Sequence, residues 1–222
     1  MVLDFFRGSA PKAMDEVHAT LVQMLNDGHD VFVTSSNALF GGGKSKATKK
    51  AVRSTDKEIN EAQGEVRRTL VMHASVNMGD LPEVLQYASI VKDAERVGDY
   101  AKNLYDLVKY GANFDGAPDE DELDEYRNNV AGLILEAASV FEAIDTERAQ
   151  ELINKADGFL DQYDANVKAQ FTSELPTDQA VARALYYRFL KRTTAHVMNV
   201  LTALTQPLDR LDYYDEAKED RE

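Results

Sequence analysis

The stretch Ala38–Ser45, "ALFGGGKS", decides between two folds. It has the spacing of a phosphate-cradling P-loop: a small residue, four spacers, then Gly-Lys-Ser. A P-loop joins the end of a strand in a parallel sheet to a helix N-terminus, and a second apolar strand must end in an acid that holds magnesium. Neither is present. The best strand candidate, "VFVTSS" at Val31–Ser36, lies inside a helical stripe made by Val17, Leu21, Met24, Gly28 and Val31, and it has no partner strand. The glycines therefore read as a link between two long helices. Beside them Lys44, Lys46, Lys49, Lys50 and Arg53 form a basic cluster. It reads as a solvated helix face that offsets part of the negative field, with contact to an anion or an acidic partner as the lesser reading.

The same periodicity runs outward in both directions. Only 12 Gly and 5 Pro occur, and they cluster between long helical segments. The first segment spans about Pro11 to Leu39. The second spans Ser45 to Asn77, with Val52, Ile59, Ala62, Val66 and Leu70 on its stripe. A third, capped by Asp80 with Pro82 in its first turn, ends near Tyr110, where Gly111 stops it. "GANFDGAPDEDE" reads as a linker. The fourth helix carries Leu123, Tyr126, Val130, Ala137 and Phe141 and ends by Ile144. The fifth starts at Asp145 or Thr146, with Leu152, Ala156, Leu160, Tyr163, Val167 and Phe171 on its stripe. "SELPTD" interrupts the chain, and Thr177 or Asp178 caps the sixth, which reaches about Thr205. The expected fold is all-α: six long helices arranged as two three-helix-bundle repeats, residues 1–112 and 113–207, followed by a polar tail, 208–222.

Composition narrows the function. The net charge is −14, a field that repels nucleic acid. Without cysteine there are no disulfides, thiolate zinc sites or cysteine nucleophiles. No segment approaches the roughly 20 apolar residues of a membrane-spanning helix, and the start shows no secretory leader, so a cytoplasmic protein is expected. His18, His29, His73 and His196 sit on different helices, none at metal-ligand spacing, and read as core-edge or surface residues. His196, beside the altered second motif described below, is the one possible exception. Tyr186, Tyr187, Tyr213 and Tyr214 read as packing for helix ends.

The informative segment is "VKDAERVGDYAKN", Val91–Asn103. The stripe Val84, Ala88, Val91 leads to Glu95, a carboxylate where the seam predicts an apolar residue, and then to Gly98. Asp99 lies one turn beyond Glu95 on a shared face. Gly98 costs roughly 1 kcal/mol in a helix interior relative to alanine, which implies a close neighbour or a functional reason. On the second helix Asp56 and Asn60 flank Ile59. If the two helices run antiparallel, Asp56 and Asn60 meet Glu95 and Asp99. Facing carboxylates need a proton or a cation, and an all-oxygen set suits Mg²⁺, Mn²⁺, Ca²⁺ or iron. The competing reading is salt bridges, Glu95 with Lys92 or Lys102 and Asp99 with Arg96.

"DKEIN" at Asp56–Asn60 followed by "ERVGD" at Glu95–Asp99 resembles the PhoU-like phosphate-uptake regulators, and the resemblance covers nearly the whole chain. It implies two three-helix repeats and a metal ion (iron, Mg, Mn or Zn) held by Asp56, Asn60, Glu95 and Asp99. It also implies a regulator, not an enzyme, that contacts a membrane phosphate transporter or its sensor at the inner face of the membrane, as a homodimer. The second repeat departs from the pattern: Lys191 stands at the place of Glu95 and Ala195 at that of Asp99. No metal is expected there, and Lys191 is expected to pair with Asp157 or Asp161. Two alternatives stay open. One is a carboxylate-ligated metalloenzyme, disfavoured because no Glu-x-x-His pair of the ferritin-like kind occurs. The other is a structural dimerisation module.

Overall fold

The computed structural model describes residues 10–211. Within them run six long helices: α1 Ala10–Asn37, α2 Lys46–Val76, α3 Leu81–Lys109, α4 Glu120–Ala143, α5 Thr146–Gln170 and α6 Thr177–Thr205, with no strand among the described residues. The apolar stripes read from the sequence are the faces that pack. Val17, Leu21, Met24 and Val31 of α1, Val52, Ile59, Val66 and Leu70 of α2, and Leu123, Val130, Ala137 and Phe141 of α4 are all buried.

Ala38–Ser45 is a link, not a phosphate loop. The helix widens over Ala38–Gly42 and breaks at Phe40 (φ −110°, ψ 56°) and Gly41 (φ 84°, ψ −10°). Gly41 and Gly43 carry positive φ, which glycine adopts without strain. A Cβ on Gly42 would meet the Asn37 carbonyl oxygen at 2.6 Å. Ser45 then caps α2 by accepting from the Thr48 N–H. The lysine of the P-loop spacing, Lys44, donates to the Lys109 carbonyl at 3.0 Å and ties the link to the end of α3.

Each half is a three-helix set, α1–α3 and α4–α6, and one continuous apolar core runs through both. The halves meet along α1 against α4 and α3 against α6. The C-terminal part of α6 is covered on all sides: every residue from Thr193 to Thr202 is buried. A helix enclosed by neighbours needs no amphipathic stripe, which is why its sequence shows a weak one.

Four local expectations are corrected. Asp80 sits at the start of α3 but makes no capping bond; its carboxylate is bonded to Nε2 of buried His73 at 2.8 Å and so latches α2 to α3. The position before α6 is Pro176, and neither Thr177 nor Asp178 caps it by a side chain. Phe171, placed on the α5 stripe by periodicity, lies just past the helix end and is 86% exposed. The segment 111–119 is more than a spacer. Phe114 is 1% exposed, its N–H donates to the Leu39 carbonyl at 2.7 Å, and its ring stands edge-on to Phe40 and Tyr186.

Tyr186 and Tyr187 are buried in this region, and the Tyr186 hydroxyl donates to the Leu123 carbonyl at 2.7 Å. The start of the polar tail folds as a short turn, Leu208–Arg210, and Leu211 is buried against α6 through a bond from the Thr202 hydroxyl to its carbonyl. Tyr213 and Tyr214 lie outside the described residues.

Gly98 has the close neighbour its cost implied. A Cβ there would meet Cδ1 of buried Ile59, on α2, at 2.8 Å. Because Cδ1 is the movable end of a side chain, Gly98→Ala should leave stability within about 1 kcal/mol, the better helix propensity offsetting the crowding. Gly98→Val adds bulk that Ile59 cannot clear and should cost about 2 kcal/mol in urea unfolding. Equal midpoints for the two variants would show that the helices part freely.

Candidate functional site

α2 and α3 run antiparallel, and the Ile59–Gly98 contact fixes how they cross. That register brings Asp56 of α2 and Asp99 of α3 to a single point. Lys102 is at that point: its Nζ donates to Asp56 Oδ1 at 2.6 Å and to Asp99 Oδ1 at 3.0 Å. Burial alone would lower the lysine's pKa, but the bonds to Asp56 and Asp99 together outweigh it and hold it above its ordinary value. The other oxygen of Asp99 accepts from Arg96 at 2.8 Å.

Glu95 is buried, as its place in the seam implied, and accepts from Lys92 at 3.3 Å with Arg96 Nε at 3.8 Å. Asn60 is exposed, and its amide donates back to the Asp56 carbonyl at 2.7 Å. So Asp56, Glu95 and Asp99 line one seam, with Asn60 at its rim. Three carboxylates are balanced by Lys92, Arg96 and Lys102. Among the described residues no three Asp, Glu or His side chains converge in metal-ligating geometry.

The donor set still fits a hard cation. Asp56 and Asp99 supply oxygens from two helices toward one cationic centre, and Glu95 stands one turn away on the same face. A metal ion at that centre would take the place the Lys102 ammonium holds.

At the corresponding crossing in the second half, Lys191 pairs with Asp164, one turn beyond the two acids named from the motif alignment. The packing register of α5 on α6 sets Asp164 opposite Lys191, whereas motif alignment alone transferred the register of the first half. His196, singled out as an exception, joins the halves. Its Nδ1 is 2.7 Å from Asp93 Oδ1 on α3, its Nε2 is 3.1 Å from Arg192, and its ring stacks on Tyr100. Asn199 also donates to Asp93, at 3.1 Å. Asp93 was not singled out from the sequence; its only signal was an acid on the α3 seam two residues before Glu95.

A second charged group closes the other end of the α4–α6 half. Buried Arg183 donates to Asp119 through Nε at 2.7 Å and again through its terminal nitrogen, and its guanidinium lies 5.4 Å from the Phe114 ring centre. The hydrogen bonds from Arg183 hold the Asp119 carboxyl below its ordinary value despite partial burial. A carboxyl lowered in the folded state contributes stability that is present above the unfolded value of about 4 and is lost as pH falls through the lower folded value. Stability should therefore decline more steeply below pH ~4 in the wild type than in Arg183→Met. Equal slopes in parallel acid titrations of the two proteins would refute this.

Residues 16–108 match the PhoU domain family. Among solved structures the chain is similar to the phosphate transport system regulatory protein PhoU from Streptococcus pneumoniae, with 16% identity, TM-score 0.76, and coverage of 91% of this chain and 96% of that one. It is similar also to PhoU from Pseudomonas aeruginosa, with 19% identity, TM-score 0.74, and coverage of 90% and 97%. No curated protein sequence matches the chain. The matched segment holds α2, nearly all of α3 and all four motif residues, and the structural likeness extends over both halves: the chain has the all-α fold of the PhoU proteins, and its residues 16–108 are similar to the PhoU domain.

Proposed function

We propose that this chain is a cytoplasmic regulator of phosphate transport, working as a homodimer through contacts with a membrane phosphate transporter or its sensor. The observation that carries the reading is the α2–α3 crossing. The segments Asp56–Asn60 and Glu95–Asp99 are stacked against each other there, both inside the stretch that matches the PhoU domain, within a fold shared over nine-tenths of the chain with PhoU proteins. No helix among the described residues is long and apolar enough to cross a membrane, so contact with a transporter would be made from outside the bilayer.

Asp56, Asn60, Glu95 and Asp99 are the residues proposed to hold a metal ion, iron, Mg, Mn or Zn. Its role would be to tie α2 to α3 or to report on the cell's state. A regulator is favoured over an enzyme because these acids line a helix seam and not a cleft. A cleft of about 560 Å³ is walled by residues 110–118 and the start of α6, and the acids are not in its wall.

The test is phosphate uptake. In source cells lacking the gene, the rate of labelled phosphate uptake should change at least twofold. The wild-type gene should restore it, and tagged protein should retain a phosphate transporter subunit or its sensor. Unchanged uptake with no such subunit retained would defeat the reading.

A further inference from the structure

The first two turns of α2 carry Lys46, Lys49, Lys50 and Arg53, all exposed. The spacings i, i+3, i+4 and i+7 place them on one stripe, about 10 Å long at the rise of an α-helix. With Ser54 they wall a shallow cleft of about 410 Å³, and nothing acidic lines it. None of the four has an ion pair or a side-chain hydrogen bond among the described residues, and α2 has no acid in its first turn.

This arrangement is unfavourable for the helix itself. The N-terminal end of a helix carries partial positive charge, so cations there repel it, and like charges three and four apart repel one another. In a chain of net charge −14, acids are plentiful, yet none is placed to answer this stripe. Elsewhere on the same helix the ordinary solution is present: Lys57 pairs with Glu61 and Asp56 with Lys102.

We propose that the stripe Lys46, Lys49, Lys50 and Arg53 is a docking surface for a short acidic protein segment, two to three helical turns or their extended equivalent. Such a segment supplies the counter-charge that the fold withholds. Its shortness follows from the surroundings. Glu58, Glu61 and Glu65 are exposed farther along α2, so an anionic bilayer or a duplex that overran the stripe would meet repulsion. A single phosphate ion would be held by only part of so open and elongated a row. The proposal draws on the regulator reading for one point only, that the segment belongs to a transporter or sensor component.

The experiment uses the full chain and a charge-reversed variant, Lys46→Glu, Lys49→Glu, Lys50→Glu and Arg53→Glu. The probe is a fluorescein-labelled twelve-residue peptide with six glutamates, read by anisotropy. The wild type should bind at low salt and weaken as salt rises, and the variant should bind at least tenfold more weakly. A neutral variant, Lys46→Gln, Lys49→Gln, Lys50→Gln and Arg53→Gln, should melt no lower than the wild type, because the repulsion within the stripe and with the N-terminal end of α2 is removed. A fall in its melting temperature would mean that the stripe serves folding and would overturn the proposal. So would equal peptide binding by the wild type and the charge-reversed variant, or no peptide binding by the wild type. Tighter binding to vesicles containing phosphatidylglycerol, or to inorganic phosphate, than to the peptide would also overturn it. If the charge-reversed variant loses the peptide yet still restores phosphate uptake in cells, the stripe docks acidic segments but is not the regulatory contact. If uptake never depended on the protein, the regulator reading fails while the peptide result stands.

Discussion

Replacing Lys102 by methionine should raise the affinity of this protein for Mn²⁺ by about tenfold. In the wild type a metal that enters between Asp56 and Asp99 must first displace an ammonium bonded to both. Each charge-assisted bond is worth about 1.5–3 kcal/mol in a dry setting, but this lysine side chain is 33% exposed and rehydrates when released. A net barrier of about 1.4 kcal/mol, tenfold in affinity, remains. Methionine keeps the packing of the aliphatic stem and removes the charge.

Calorimetric titration with Mn²⁺ would measure the difference, with the Asp56→Asn, Asp99→Asn double variant as the protein that should lose binding altogether. If Lys102→Met and the wild type bind equally, the ammonium is no competitor. If neither binds, the acids are salt-bridge partners alone and the metal reading falls.

The second large effect lies far from these acids. Phe114→Ala should destabilise the protein by about 3–4 kcal/mol, through lost apolar transfer and the cavity left behind. The ring is 1% exposed and packs edge-on against Phe40 and Tyr186, with the Arg183 guanidinium 5.4 Å from its centre. Its cavity would open where the α1–α2 link, the segment between halves and the start of α6 meet. For a chain of this size the loss corresponds to a fall of roughly 10 °C in melting temperature. A change below about 1 kcal/mol in urea unfolding would show that residues 111–119 merely connect the halves.

Phe114 also shows why part of the fold was hidden in the sequence. Helical stripes announce a buried face because burial repeats every three to four residues. A single aromatic among glycines, aspartates and a proline has no period, so its burial depends on what folds over it. The six helices were legible for the first reason, and the fastening between the halves was not, for the second. Gly98 lay between: its cost in a helix signalled a close neighbour, and only the structure shows that neighbour to be Ile59.

The site divides the same way. Asp56, Glu95 and Asp99 were legible as acids intruding on an apolar seam, and the salt bridges Glu95–Lys92 and Asp99–Arg96 follow from spacing along one helix. Asp56–Lys102 and Asp93–His196 join residues 46 and 103 positions apart, and no local rule selects such partners. Lys191 was expected to find an acid on α5, and it does; which acid depended on how far α5 slides along α6, a quantity set by packing in the core.

The enclosure of α6 has a consequence for how the chain is made. The helix at the centre of the shared core is synthesised after the other five, so α1 and α3 leave the ribosome with the faces that will meet α4 and α6 still bare. At about 5–20 residues per second, the interval between completing α3 and completing α6 is roughly 5–20 s. During that time the nascent first half depends on its own three-helix packing and on whatever chaperone covers the open faces. A ribosome that stalls before Thr205 would release a protein with no axis to close around.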